Sequence, residues 1–68
     1  MVLTIEFAQF ADEARRHGPG RPAYLAEGPH GTVVTLADPS RGFLLRSTTP
    51  LSLDAARNAL LGAGLETS

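Results

Sequence analysis

His30 is the side chain here best suited to moving a proton. It sits in Gly28-Pro29-His30-Gly31, a tight turn in which an exposed imidazole can act as a general base near neutral pH or meet a phosphate. General acid–base catalysis needs a second group within hydrogen-bond reach, and the sequence names none beside it. His17, the other histidine, falls at the end of an amphipathic segment, where a protonated imidazole suits the negative end of a helix dipole. Two histidines with no patterned carboxylate and no cysteine make a weak case for a metal, so no metal or cofactor is expected. Asp12 and Glu13 are neighbours in a helix and point apart, which excludes a paired-carboxylate site. Ser40, Ser47 and Ser52 read as turn, strand and cap residues, not as nucleophiles.

Positive charge offers recognition chemistry instead. Every basic residue is an arginine: Arg15, Arg16, Arg21, Arg41, Arg46 and Arg57. Arg15, Arg16, His17 and Arg21 gather around the end of the first helix and its following loop, where bidentate guanidinium contacts would dock a phosphate or an acidic partner. The stretch from Asp38 to Gly42, with Asp38 and Arg41, is a second candidate surface. Leu44 or Leu61, if exposed, would supply a third, apolar surface suited to self-association. Gly18-Pro19-Gly20-Arg21 has the composition of a phosphate loop. Such loops precede a helix whose amides hold the anion; this one follows a helix and leads into a strand.

Hydrophobic periodicity sets the elements that position these groups. Phe7, Phe10, Ala11 and Ala14 recur at helical spacing, which predicts a helix over residues 5–17 with Thr4 as N-cap and Gly18-Pro19 as its stop. Leu3, Ile5 and Phe7 also alternate, so residues 2–5 could instead form a short strand. Three strand-like runs follow, over residues 23–27, 32–37 and 43–48. Val34 and Leu36 share a face, as do Phe43 and Leu45. Asp38-Pro39-Ser40-Arg41-Gly42 predicts a type I turn closed by a left-handed glycine. Ser52 is the expected N-cap of a second helix striped by Leu53, Ala56, Leu60 and Ala63, with Gly64 at its C-terminal cap and Leu65 packing back on Leu60.

The predicted architecture is a single α+β domain in the order α-β-β-β-α. Its sheet is three-stranded and antiparallel, and both helices lie on one face. With 68 residues there is room for one domain, and folding at this size buries only about 60% of the unfolded surface. A hydrophobic fraction of 43%, a charged fraction of 19% and a net charge of −1 indicate a globular chain. That charge argues against a protein that coats nucleic acid. No apolar run approaches the roughly 20 residues needed to span a bilayer, and the opening residues lack the basic region of a secretory signal. The expected location is cytoplasmic, without membrane association.

Three resemblances bear on function. The element order, Gly28-Pro29-His30 and the alanines Ala55, Ala56 and Ala59 resemble the double-stranded RNA-binding domain. In the position of that family's basic pair this chain has Ser52-Leu53-Asp54. Gly28-Pro29-His30 and the ending Ala63-Gly64-Leu65 are similar to the HicA toxins, which cleave RNA; that resemblance implies a catalytic His30. Residues 32–63, with Thr32-Val33-Val34, Ala37-Asp38-Pro39-Ser40-Arg41-Gly42 and Phe43-Leu44-Leu45-Arg46, resemble the small BldB-like regulators of actinobacteria. Those are thought to partner helix-turn-helix transcription factors, sometimes in antitoxin-like pairs.

The expected function is that of a small non-enzymatic regulatory or adaptor protein. It would act through protein–protein contact, with a transcription regulator or as an inhibitor, and self-association into a homodimer is expected to support it. The candidate binding residues are Arg15, Arg16, His17, Arg21, Asp38 and Arg41. The alternative is an RNA-binding or RNA-cleaving protein that uses His30.

Overall fold

Side-chain alternation along the two longest strands decides the layering of this fold. In the computed structural model, which describes residues 2–17 and 20–67, the elements are β1 (Val2–Thr4), α1 (Phe7–His17), β2 (Tyr24–Gly28), β3 (Gly31–Asp38), a 3₁₀ turn (Pro39–Arg41), β4 (Phe43–Thr49) and α2 (Leu53–Gly62). Along β3 the buried residues are Thr32, Val34, Leu36 and Asp38, and along β4 they are Leu45, Ser47 and Thr49. Antiparallel register places Thr32 against Thr49, Val34 against Ser47 and Leu36 against Leu45. One face of the sheet therefore takes the core.

Both helices cover that face. Phe10 and Ala14 of α1, Leu60 of α2 and Leu65 beyond it pack with Ala23, Val34, Leu36 and Leu45. Leu3, Ile5, Phe7, Ala11, Leu25 and Phe43 rim the cluster. Phe10 is wholly buried, and burial of a side chain of that size contributes about 3 kcal/mol. The accessible surface, 4124 Å², agrees with the roughly 4,100 Å² that the size scaling of folded monomers gives at this mass. The fold is thus as compact as a self-sufficient small domain.

The sheet has four strands, in the order β1-β4-β3-β2, and is mixed. This corrects the three-stranded antiparallel expectation. β2, β3 and β4 form the antiparallel meander, and β1 adds to the far side of β4 in parallel, with Val2 opposite Leu44, Leu3 opposite Leu45 and Thr4 opposite Arg46. The Ile5 amide extends the pairing by donating to the Arg46 carbonyl at 3.0 Å. Thr4 is therefore the end of a strand and not a helix cap, and α1 starts at Phe7. The alternation of Leu3, Ile5 and Phe7 marks this short strand, whereas its parallel neighbour, more than forty residues away, leaves no local trace. The predicted stop at Gly18-Pro19 lies outside the described residues.

Local chemistry shapes the connections. Gly42 adopts φ +64° behind the 3₁₀ turn, and its amide donates to the Pro39 carbonyl, as the Asp-Pro pattern predicts. The Ser52 hydroxyl accepts from the Ala55 amide at 3.3 Å and caps α2. At the other end of α2 the Leu65 amide reaches the Leu60 carbonyl and the Gly64 amide reaches that of Leu61, the paired bonds of a Schellman cap. This turns Leu65 back into the core. Gly31 closes the predicted Gly28–Gly31 turn. Its φ is +132°, and a Cβ there would sit 2.1 Å from the Thr49 carbonyl oxygen.

Candidate functional site

The arginines named from sequence do not form one cluster. Along α1, Arg15 pairs with Asp12 at 2.5 Å and Arg16 with Glu13 at 3.2 Å, each three residues apart on the same helix. Arg15 also donates through Nη1 to the Ala63 carbonyl, which joins the end of α1 to the cap of α2. The side chain of His17 lies outside the described residues. Arg21 turns away from all of these and meets Asp38 at 3.2 Å.

Asp38 instead organises a group of its own. Its carboxylate is 7% exposed and faces Arg21 on one oxygen and Arg41 Nε, 3.7 Å away, on the other. The Ser40 hydroxyl donates to it at 2.6 Å. That hydrogen bond first, and the two guanidiniums after it, hold the carboxyl below its ordinary pKa against the opposing effect of burial. Arg21, Asp38 and Arg41 are thus brought together across the two loops at one end of the sheet. Most of their charge is satisfied internally, which fits a structural clasp.

His30 is exposed at the tip of the β2–β3 turn. Among the described residues no hydrogen bond or ion pair reaches its imidazole.

The side of the sheet turned away from the helices is the larger candidate site. Its middle line runs across all the strands as Thr4, Arg46, Thr35 and Tyr24. On one side of this line lie Val2, Leu44 and Ala37, and on the other Thr48, Val33 and Ala26. Val2 is 61% and Tyr24 55% exposed, Arg46 is exposed, and Val33, Thr35 and Leu44 are partly so. Strand spacing puts the Arg46 and Tyr24 backbones about 10 Å apart. The Arg46 guanidinium has no ion-pair partner among the described residues. An open sheet face that carries apolar side chains around one cation and one aromatic ring can bury surface against a partner and orient it electrostatically. The signal for this face was present in the alternation of residues 33–37 and 44–48, whose outward members are the complement of the core set. Its centre, Arg46, carries no mark in the sequence that separates it from the other arginines.

Comparison with protein-family models, with curated proteins and with solved structures finds no match to this chain.

Proposed function

We propose that this chain is a small non-enzymatic regulatory or adaptor protein that binds a partner protein on the open face of its sheet. The observation that carries the reading is the line Thr4, Arg46, Thr35 and Tyr24 with apolar residues on both sides. Tyrosine and arginine are the residue types that dominate binding energy at protein interfaces. A guanidinium at the centre with no ion-pair partner among the described residues selects a partner that brings a carboxylate to that point. The resemblance of residues 32–63 to BldB-like regulators supports a transcription regulator as the partner, and inhibition of such a partner has the same physical signature. The test is capture on the tagged protein, with and without nuclease, by the wild type and by Arg46→Glu. A stoichiometric protein that survives nuclease and is lost with Arg46→Glu supports the proposal. A protein captured equally by both sinks it.

One observation favours a second reading, that of an RNA-directed protein. A guanidinium flanked by the hydroxyls of Thr4 and Thr35, with an aromatic ring along the same line, can hold a phosphate and stack a base. RNA recovered on the wild type, with proteins released by nuclease, would decide for it. Loss of RNA cleavage in His30→Ala would then mark the HicA-like form of that reading.

A further inference from the structure

The outer edge of β2 has a defined pattern of outward-directed backbone groups. β2 ends the sheet, with β3 on its inner side. Just before it, Ala23 donates its amide to the Glu66 carbonyl at 2.9 Å and pairs in parallel with Thr67. The C-terminal tail therefore covers the outer edge at Ala23. Backbone groups alternate sides along a strand, so Leu25 and Glu27 also direct their N–H and C=O outward. Tyr24, Ala26 and Gly28 direct theirs toward β3, consistent with Gly28 and Gly31 closing the turn as a pair. Beyond the tail, among the described residues, no strand covers this edge.

We infer that this edge pairs with the same edge of a second copy, antiparallel, about a two-fold axis at Ala26. In that register Leu25 and the partner's Glu27 exchange both of their outward hydrogen bonds, and by symmetry Glu27 does so with the partner's Leu25. Every outward backbone group of the strand is then used. The neighbouring registers fail. An axis at Glu27 sets that carboxylate against its own copy, a like-charge pair directly across the strands. An axis at Leu25 sends Glu27 to the partner's Ala23, whose outward amide the tail already holds.

The side chains fit the same register. Tyr24, 55% exposed, falls opposite the partner's Gly28, in a pair whose Cα atoms approach to about 4.5 Å. Gly28 lies beside Val33, and a Cβ on it would come within 3.0 Å of Val33 Cγ2. The missing side chain leaves a bare strip of strand on the open face, which an aromatic ring from across the pairing covers. The exposed Ala26 at the axis is small enough to face its own copy. Such pairing would join the two sheets edge to edge and merge their open faces into one surface with two Arg46 side chains.

Sedimentation of the full chain tests the inference. The wild type is expected to dimerise reversibly. Ala26→Arg and Ala26→Glu, each placing like charges at the axis, should be monomeric with unchanged circular dichroism. An equimolar mixture of the two variants should recover the dimer, since opposite charges then meet. Glu27→Pro, which removes an outward N–H at an exposed residue and leaves the ladder to β3 intact, should also be monomeric. A wild type that stays monomeric at its highest soluble concentration overturns the inference. So does a dimer that persists in both Ala26 variants, or a mixture of them that remains monomeric.

Discussion

Arg21, in the loop that leads out of α1, closes onto Asp38 at the end of β3 at 3.2 Å, and so ties the crossover between β1 and β2 to the β3–β4 hairpin. Asp38 is the buried member, and Ser40, Arg21 and Arg41 hold its folded pKa below the ordinary carboxylate value. A carboxyl depressed on folding contributes stability above its unfolded pKa, and that contribution is lost as pH falls through the depressed folded value. Asp38→Asn should therefore be less stable than the wild type at neutral pH, with the gap narrowing as the medium is acidified below about pH 4. Thermal melts of the two proteins across that range check the expectation; a gap independent of pH would remove the electrostatic part of the clasp.

Ser47 is wholly buried, opposite Val34, and its hydroxyl has no hydrogen-bond partner among the described residues. An unpartnered buried hydroxyl costs about 1–3 kcal/mol relative to a satisfied one, whereas removing it costs little packing. Ser47→Ala should raise the melting temperature by several degrees, since about 1 kcal/mol corresponds to roughly 4–8 °C in a domain of this size. A fall in melting temperature would show that the hydroxyl is satisfied in solution.

The two hairpin glycines separate steric demand from backbone demand. Gly42 is left-handed, but a Cβ on it would meet open space, whereas one on Gly31 would strike the Thr49 carbonyl and the Pro50 backbone. Gly42→Ala should cost about 1–2 kcal/mol, the penalty of a left-handed residue with a side chain. Gly31→Ala must also displace the end of β4, so it should cost more, a large part of the roughly 3–10 kcal/mol available to a chain of this length. Denaturant midpoints of both variants decide the ranking, and equal midpoints would refute the close approach at Gly31.

What the sequence discloses follows the range of each interaction. The alternation of Val34 and Leu36, the Asp38-Pro39 turn, the Ser52 cap and the Gly64-Leu65 ending are signals written within a few residues, and each has its counterpart in the structure. β1 was legible only as alternation at Leu3 and Ile5, because its partner Leu45 is far along the chain. The same reasoning explains the arginines. Proximity in sequence suggests Arg15, Arg16, His17 and Arg21 as one patch, but helix geometry returns Arg15 and Arg16 to Asp12 and Glu13 and the chain reversal gives Arg21 to Asp38. Arg46 emerges as a central cation only when Thr4 and Thr35 are seen on either side of it.

That contrast yields the sharpest expectation for binding. Arg16 is a helix-surface residue paired within its own helix, where surface ion pairs contribute at most about 1 kcal/mol. Arg46 stands at the centre of the open face with no internal partner among the described residues, so reversing its charge changes the recognition surface and disturbs none of the ion pairs among them. Arg46→Glu should weaken partner binding by tenfold or more, the scale of a central interface residue at about 2 kcal/mol, and leave stability within about 0.5 kcal/mol of the wild type. Leu44→Glu, on the adjoining apolar line, should weaken binding in the same way. Arg16→Glu should leave binding unchanged. Titration of the captured partner against the three variants, with melting curves alongside, checks all of this at once. If Arg16→Glu proved the damaging change and Arg46→Glu the silent one, the binding surface would lie on α1 and the open face of the sheet would lose its assigned role.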